Sequence, residues 1–84
     1  MKYYETVSLH LAAAILTKIK GACFSGISGD LSDRKIIKIQ YPDSEESALM
    51  ELKDRFYAKN LVIDLYEYNR NLNTLRDELK AERV

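Results

Sequence analysis

The spacing of the apolar residues changes twice along the chain, and this change constrains the fold more than any other feature. Residues 8–20 have helical spacing, residues 35–41 alternate as in a strand, and helical spacing returns after Pro42. The residues predicted to face inward in the first two segments are Leu9, Ala12, Ala13, Leu16 and Ile19, then Ile37, Ile39 and Tyr41. This order predicts an α+β domain.

The first helix is predicted over residues 8–20, and both of its ends carry the residues that helix ends prefer. Thr6 or Ser8 can cap the first free backbone N–H groups. Lys18 and Lys20 suit the negative end of the helix dipole. Gly21 can take the left-handed C′ conformation that ends a helix.

A β-hairpin is predicted next, with strands over residues 22–28 and 35–41 and a turn over residues 29–33. Ile36, Lys38 and Gln40 point away from the predicted core, which is typical of an antiparallel sheet covered on one side only. Pro42 ends the second strand because it has no N–H for the ladder.

A second helix is predicted to begin at Asp43, because Asp43 and Glu46 have the spacing of a capping box. Asn60 is predicted to end the helix in left-handed geometry. Residues 61–63 are read either as an extended connector or as a brief third strand. The inner stripe of this helix is predicted to be Ala48, Leu49, Leu52 and Phe56.

The third helix repeats the capping chemistry at Asp64 and then carries a narrow apolar seam with alternating spacing of three and four. The seam residues are Leu65, Tyr68, Leu72, Leu75 and Leu79. In one interpretation the seam packs within the chain against the second helix. In the other, which the narrow spacing favours, part of it pairs with a second copy and forms a homodimer. The predicted interface residues are Tyr68, Leu72, Leu75 and Leu79.

Together these elements predict one domain over residues 1–84, with the order α-β-β-α-(β)-α and an antiparallel β-hairpin packed against three helices. A chain of 84 residues leaves no room for a second domain. Because so short a chain buries a modest fraction of its surface, dimerisation would enlarge its core.

Charge and composition exclude several functional classes. Thirteen basic and thirteen acidic residues give a formal net charge of zero, which disfavours a generic binder of duplex DNA. One cysteine and one histidine exclude an internal disulfide and a Cys/His metal cluster. We therefore expect no catalytic, cofactor or metal site. The longest apolar run is too short to cross a membrane, and the free thiol favours a cytoplasmic location.

Two single residues are candidates for chemistry. His10 is predicted to be a solvated surface residue, because helical projection directs it away from the apolar stripe. Cys23 is predicted to be a buried structural thiol, because it follows a helix C-terminus, where a thiolate is not stabilised. Neither residue has the neighbours that nucleophilic or acid–base catalysis requires.

Two surface patches are candidates for binding. The cations and the aromatic ring of the hairpin could stack on and neutralise a nucleic acid or a nucleotide-like anion. Its possible ligand residues are Arg34, Lys35, Lys38 and Tyr41. Alternatively, these lysines only protect a hairpin edge from aggregation. Met50 and Tyr57 form a second, small apolar patch beside Lys53, which a partner could contact.

The segment Thr6–Ala13, followed by Lys20 and Gly21, a hairpin and an Asp-Ser start to the next helix, resembles a family of short uncharacterised bacterial and phage proteins. The family pattern in the first helix is Thr-x-Asp-Leu-x-Leu-Ala-Ala, and Ser8 stands here at its Asp position. The resemblance covers nearly the whole chain. It implies an α-β-β-α-α domain and a prokaryotic or viral origin, and it implies no activity.

The function predicted from the sequence is a non-enzymatic protein-interaction module that self-associates through its C-terminal helix. Six tyrosines and two phenylalanines, residue types common at interfaces, favour this function. The alternative is a binder of nucleic acid or a nucleotide-like anion at the hairpin.

Overall fold

Three antiparallel strands form the sheet of the computed structural model, which describes the backbone of residues 1–31 and 34–81 and the side chains of residues 1–27 and 35–80. The strands are β1 (Lys2–Thr6), β2 (Cys23–Leu31) and β3 (Arg34–Tyr41), and the helices are α1 (Leu9–Lys18), α2 (Glu46–Tyr57) and α3 (Leu65–Ala81). A 3-10 turn over Asp43–Glu45 precedes α2. The α+β fold, the hairpin and the three helices are therefore confirmed.

The predicted hairpin is the larger part of the sheet, and β1 is an addition that the sequence pattern did not predict. The strand order is β1-β3-β2, so β3 lies in the centre. Tyr4 of β1 and Phe24 of β2 both pair with Ile39. Gly29 and Asp30, predicted in the turn, extend β2 instead, while Ser32 and Asp33 lie outside the described residues.

The helices cover one face of the sheet. Ile37, Ile39 and Tyr41 point toward α1 and are buried, as their alternation predicts. Tyr3, which pairs with Gln40, points to the opposite face and is half exposed. The outer face of the sheet therefore remains open to solvent.

Helix α1 supplies the centre of the core. All residues from Leu11 to Ile15 are fully buried. The Ser8 side chain accepts a hydrogen bond of 3.2 Å from the Leu11 amide, which confirms it as the cap. The helix ends at Lys18, earlier than predicted, and Gly21 adopts the left-handed φ of 82° in the following turn. A Cβ at Gly21 would lie 2.9 Å from Cγ of Pro42, so this turn also needs glycine for space.

Helix α2 begins and ends differently from its prediction. The predicted capping box is wrong, because the 3-10 turn displaces Asp43 from the cap and no side chain caps the helix. Glu46 instead forms an ion pair with Lys2 at 2.6 Å. The left-handed residue after the helix is Lys59, with φ of 62°, rather than Asn60. Lys59 and Asn60 donate backbone hydrogen bonds to two carbonyls of the last helical turn, forming a Schellman motif.

Residues 61–63 form no strand, so the first of the two interpretations, an extended connector, is confirmed. The Asp64 carboxylate accepts a hydrogen bond of 3.0 Å from the Glu67 amide, which confirms the predicted cap of α3. The helix packs mainly on α1 rather than on α2. The intramolecular interpretation of the seam therefore names the wrong neighbouring helix.

Candidate interaction surface

Most of the predicted interface residues of α3 pack against other residues of the same chain. Leu75 is fully buried and Leu72 is 7% exposed, so a partner cannot contact them in this structure. Leu79 packs against the same core and is partly buried. The Tyr68 hydroxyl hydrogen-bonds with Nδ1 of His10 at 2.8 Å. The assignment of Leu72 and Leu75 to a homodimer interface is therefore corrected: they belong to the core of one chain.

The possible ligand residues of the hairpin do not share one surface. Tyr41 is buried against the helices, whereas Lys38 lies on the outer face with its Nζ 4.4 Å from the centre of the Tyr3 ring. Lys35 follows the alternation of Tyr41, not that of Lys38. The Arg34 side chain lies outside the described residues. The proposed partnership of Lys38 with Tyr41 is wrong, because residues three apart in a strand point to opposite faces.

His10 and Cys23 are both exposed. For His10 this agrees with the prediction, although its ring also stacks on the Tyr68 ring with a centroid distance of 6.5 Å. For Cys23 the prediction of a buried thiol is wrong. Cys23 pairs in register with Gln40, and this parity directs its side chain to the open outer face of the sheet.

Burial raises the pKa of the Tyr68 phenol above its ordinary value, and the positive charge of Arg76 opposes this rise in part. A second polar contact joins α3 to α1 near Tyr68. Nδ2 of Asn71 donates a hydrogen bond to Oγ1 of Thr17 at 2.9 Å. Thr17 in turn donates to the Ala13 carbonyl at 2.7 Å. These bonds satisfy the polar groups along the border between α1 and α3, so they stabilise the fold.

Exposed apolar side chains are concentrated where the connector enters α3. Val62 is 78% exposed, Leu65 67% and Tyr66 75%. We call these three residues the junction surface. Leu65 and Tyr66 are adjacent in the first turn of α3, and Val62 precedes Leu65 by three residues, so it lies within roughly 10 Å along the chain. An exposed apolar cluster of this kind marks an interaction site when it is not a chance single residue.

A groove of about 310 Å³ lies beside the junction surface and includes Val62 in its wall. Its apolar lining comes from the end of α1, from α2 and from the connector. Its charged lining is Lys18, Glu51 and Arg55. We call this feature the α1–α2 groove. Its complete lining is Lys18, Ile19, Ala48, Glu51, Leu52, Arg55, Leu61 and Val62.

The charges around these two features have opposite signs. Arg55 pairs with Glu51 at 2.9 Å on the groove rim, and Lys18 has no ion-pair partner among the described residues. The rim therefore carries one positive charge in excess. The helical residues of the junction surface lie between Asp64 and Glu67, where the helix dipole stabilises carboxylates. Glu67 forms an ion pair with Arg70, so Asp64 leaves one negative charge in excess there.

Met50 is 50% exposed and Tyr57 is 64% exposed, as the sequence predicts. They are each two positions beyond a groove residue, Ala48 and Arg55, and two positions rotate by about 200° around a helix. Their patch therefore faces away from the α1–α2 groove and forms a separate surface.

The sequence carries a signal for the junction surface that a search for periodicity does not use. Residues 61–66 are apolar apart from Asp64, a density that a solvent-exposed connector does not need. Leu65 belongs to the seam by its spacing alone. Its exposure cannot be read from that spacing, because it depends on how far α1 extends along α3.

Comparisons of the chain with known proteins find no matching family, no matching curated protein and no matching solved structure. The resemblance of the first helix and hairpin to a bacterial and phage family therefore stays a prediction. Within the described residues, the structure contains no helix both long and apolar enough to cross a membrane.

Proposed function

We propose that this protein is a non-enzymatic protein-interaction module that self-associates through the start of its C-terminal helix. The observation that supports this proposal is the junction surface, in which three neighbouring apolar residues are two-thirds exposed or more. The proposed contact uses Leu65 and Tyr66 in place of Leu72 and Leu75, which are buried in the core. We propose a cytoplasmic location and a bacterial or phage origin for this module, the first from its free thiol and the second from the family resemblance.

Physical chemistry favours a second copy over solvent at this surface. Covering an exposed Leu or Val side chain contributes about 1.5–3 kcal/mol. A tyrosine presents both an apolar ring and a hydroxyl, which is why tyrosines are enriched at interfaces. A protein of 84 residues has a small core, so burying more apolar surface between copies also stabilises each fold.

Sedimentation equilibrium tests self-association directly. We expect the wild-type chain to dimerise at tens of micromolar, and the double variant Leu65→Asp/Tyr66→Asp to be monomeric. Acidic residues suit the first turn of a helix, so this variant should keep the fold. The matched control, Asn69→Asp/Asn73→Asp, adds the same charge to exposed positions of α3 and should stay dimeric. A wild type that is monomeric throughout this range contradicts the proposal.

The outer face of the sheet supports a second candidate function, binding of single-stranded nucleic acid. Tyr3 is half exposed there, and Lys38 lies over its ring. An exposed ring beside a cation can stack on a base and neutralise a phosphate. Tyr3 thus takes the place that the sequence pattern gives to Tyr41.

A salt titration against a mixed single-stranded oligonucleotide pool tests this second candidate. Binding through Lys38 should weaken as salt increases, with a slope of log affinity against log salt of about −0.7 for each phosphate neutralised. Tyr3→Ala should weaken binding further through lost stacking, about 1–3 kcal/mol for a base. Tyr57→Ala, at another exposed tyrosine, is the matched control. Absence of binding by the wild type at low salt eliminates this candidate.

A further inference from the structure

We propose that each copy in the dimer inserts its own Leu65 and Tyr66 into the α1–α2 groove of the other copy. This inference rests on the proposed self-association and adds its partner and its geometry. Val62 belongs to the junction surface and also lines the groove, so the projecting and the receiving features are neighbours on one chain. A patch that contains both features can be complementary to its own copy across a twofold axis.

The groove has the size and chemistry to receive an aromatic side chain. Its volume of about 310 Å³ reaches the lower end of the range for ligand pockets. Ile19 and Leu52 are buried and provide apolar contact surface for the ring. The Glu51 and Arg55 side chains at the rim offer an acceptor and donors to the tyrosine hydroxyl.

Charge favours the same arrangement. Insertion of Tyr66 carries Asp64 toward the groove of the other copy, and Asp64 has no ion pair among the described residues, whereas Glu67 pairs with Arg70. At the groove, Lys18 likewise has no ion pair among the described residues. Asp64 of each copy is thus brought toward Lys18 of the other, and the twofold axis repeats this match.

The area fits a weak dimer. Val62, Leu65 and Tyr66 together present on the order of 400 Å², taking ~150–250 Å² for an aromatic side chain. The exposed walls of the groove add a much smaller area, because Ile19 and Leu52 are already buried. Two copies therefore bury on the order of 1,000 Å² in total, a size typical of weak association at tens of micromolar.

A mixing experiment tests reciprocal insertion. Ala48→Trp fills the groove from an exposed position of α2, and Tyr66→Ala removes the inserted ring. Each variant alone loses both contacts of the dimer, so we expect its dissociation constant to rise at least about tenfold. An equimolar mixture of the two should associate again, because the intact Tyr66 of one variant meets the intact groove of the other.

Matched controls separate the groove from general surface effects. Ser47→Trp places the same ring on an exposed position next to Ala48, and Tyr57→Ala removes a tyrosine of similar exposure. Both should dimerise like the wild type. Circular dichroism of every variant verifies that the fold is retained.

The protein has no tryptophan, so a single introduced tryptophan reports insertion even if the groove variant fails to fold. The conservative variant Tyr66→Trp should dimerise, and its emission should shift to the blue as the concentration rises and the ring leaves water. The emission of Tyr57→Trp should not change with concentration.

The outcomes separate the two proposals. If the wild type dimerises but Ala48→Trp dimerises equally well, or if the emission of Tyr66→Trp does not change with concentration, reciprocal insertion is overturned and self-association stands. If the mixture of folded Ala48→Trp and Tyr66→Ala chains does not recover association, insertion is also overturned. A monomeric wild type overturns both proposals.

Discussion

The middle and the start of α3 carry similar apolar residues in different environments. In the middle, Leu72 and Leu75 are buried against α1. At the start, Leu65 continues the same spacing but is exposed together with Tyr66. The difference teaches that periodicity identifies the apolar face of a helix, whereas the neighbouring elements decide which part of that face is covered.

The polar bonds between α1 and α3 show where the covered part begins. The first contact along α3 joins Tyr68 to His10, and the next joins Asn71 to Thr17. Leu65 lies about one turn before the first of these bonds. The start of α3 is therefore free to serve another purpose, while its middle is needed for folding.

The largest expected effect separates the two parts of the seam. Leu75→Ala should lower the free energy of unfolding by about 2–5 kcal/mol, because it leaves a cavity in the core. Leu65→Ala should lower it by less than about 0.5 kcal/mol when the chain is monomeric. Urea unfolding at low protein concentration measures both. Similar losses for the two variants would refute the distinction between the middle and the start of α3.

The next effect concerns how the start of α3 is fixed. Asp64→Ala removes the cap that accepts from the Glu67 amide and should cost about 1 kcal/mol. Asp43→Ala is the matched control, because Asp43 precedes α2 in sequence but does not cap it. Thermal unfolding compares them, and a larger loss for Asp43→Ala would contradict the assignment of the caps.

A smaller effect tests the polar border of the covered part. Asn71→Ala removes the hydrogen bond to Thr17 and should cost about 0.5–1.5 kcal/mol. Asn73→Ala, two positions along the same helix at an exposed site, should change stability very little. Equal values from chemical denaturation would show that the bond to Thr17 contributes nothing.

The smallest effect depends on pH. Burial raises the pKa of Tyr68 in the folded state. The neutral phenol therefore contributes fully to stability below the ordinary pKa of 10.0, and this contribution is lost as pH rises through the folded pKa. Above about pH 10, the free energy of unfolding of Tyr68→Phe should therefore depend less on pH than that of the wild type. Denaturant titrations from pH 8 to 11 measure this slope. A steeper alkaline loss in Tyr68→Phe would contradict the direction of the shift.

Much of the fold is predictable because its signals are local. The Ser8 and Asp64 caps and the alternation of β3 each depend on residues a few positions apart. Strand β1 escapes prediction although its two tyrosines and a threonine favour a strand, because its pairing with β3 joins residues far apart in sequence. The Asp43 capping box fails because a 3-10 turn is equally compatible with the spacing.

The candidate site is less predictable because it depends on tertiary placement. The sequence indicates that α3 carries the contact, but not that α1 covers Leu72 and Leu75. The α1–α2 groove combines residues from three parts of the chain, so no local pattern reveals it. The contact of Tyr3 with Lys38 escapes prediction for the same reason as β1.

The central claim is tested most directly by the mass of the wild-type protein in solution, measured by sedimentation equilibrium at concentrations from about one to one hundred micromolar. Coverage of Leu65 and Tyr66 by a second copy predicts that the mass rises with concentration to twice the 9.7 kDa of one chain. The Leu65→Asp/Tyr66→Asp variant should stay at 9.7 kDa throughout. A wild type that also stays at 9.7 kDa over this range would contradict the account.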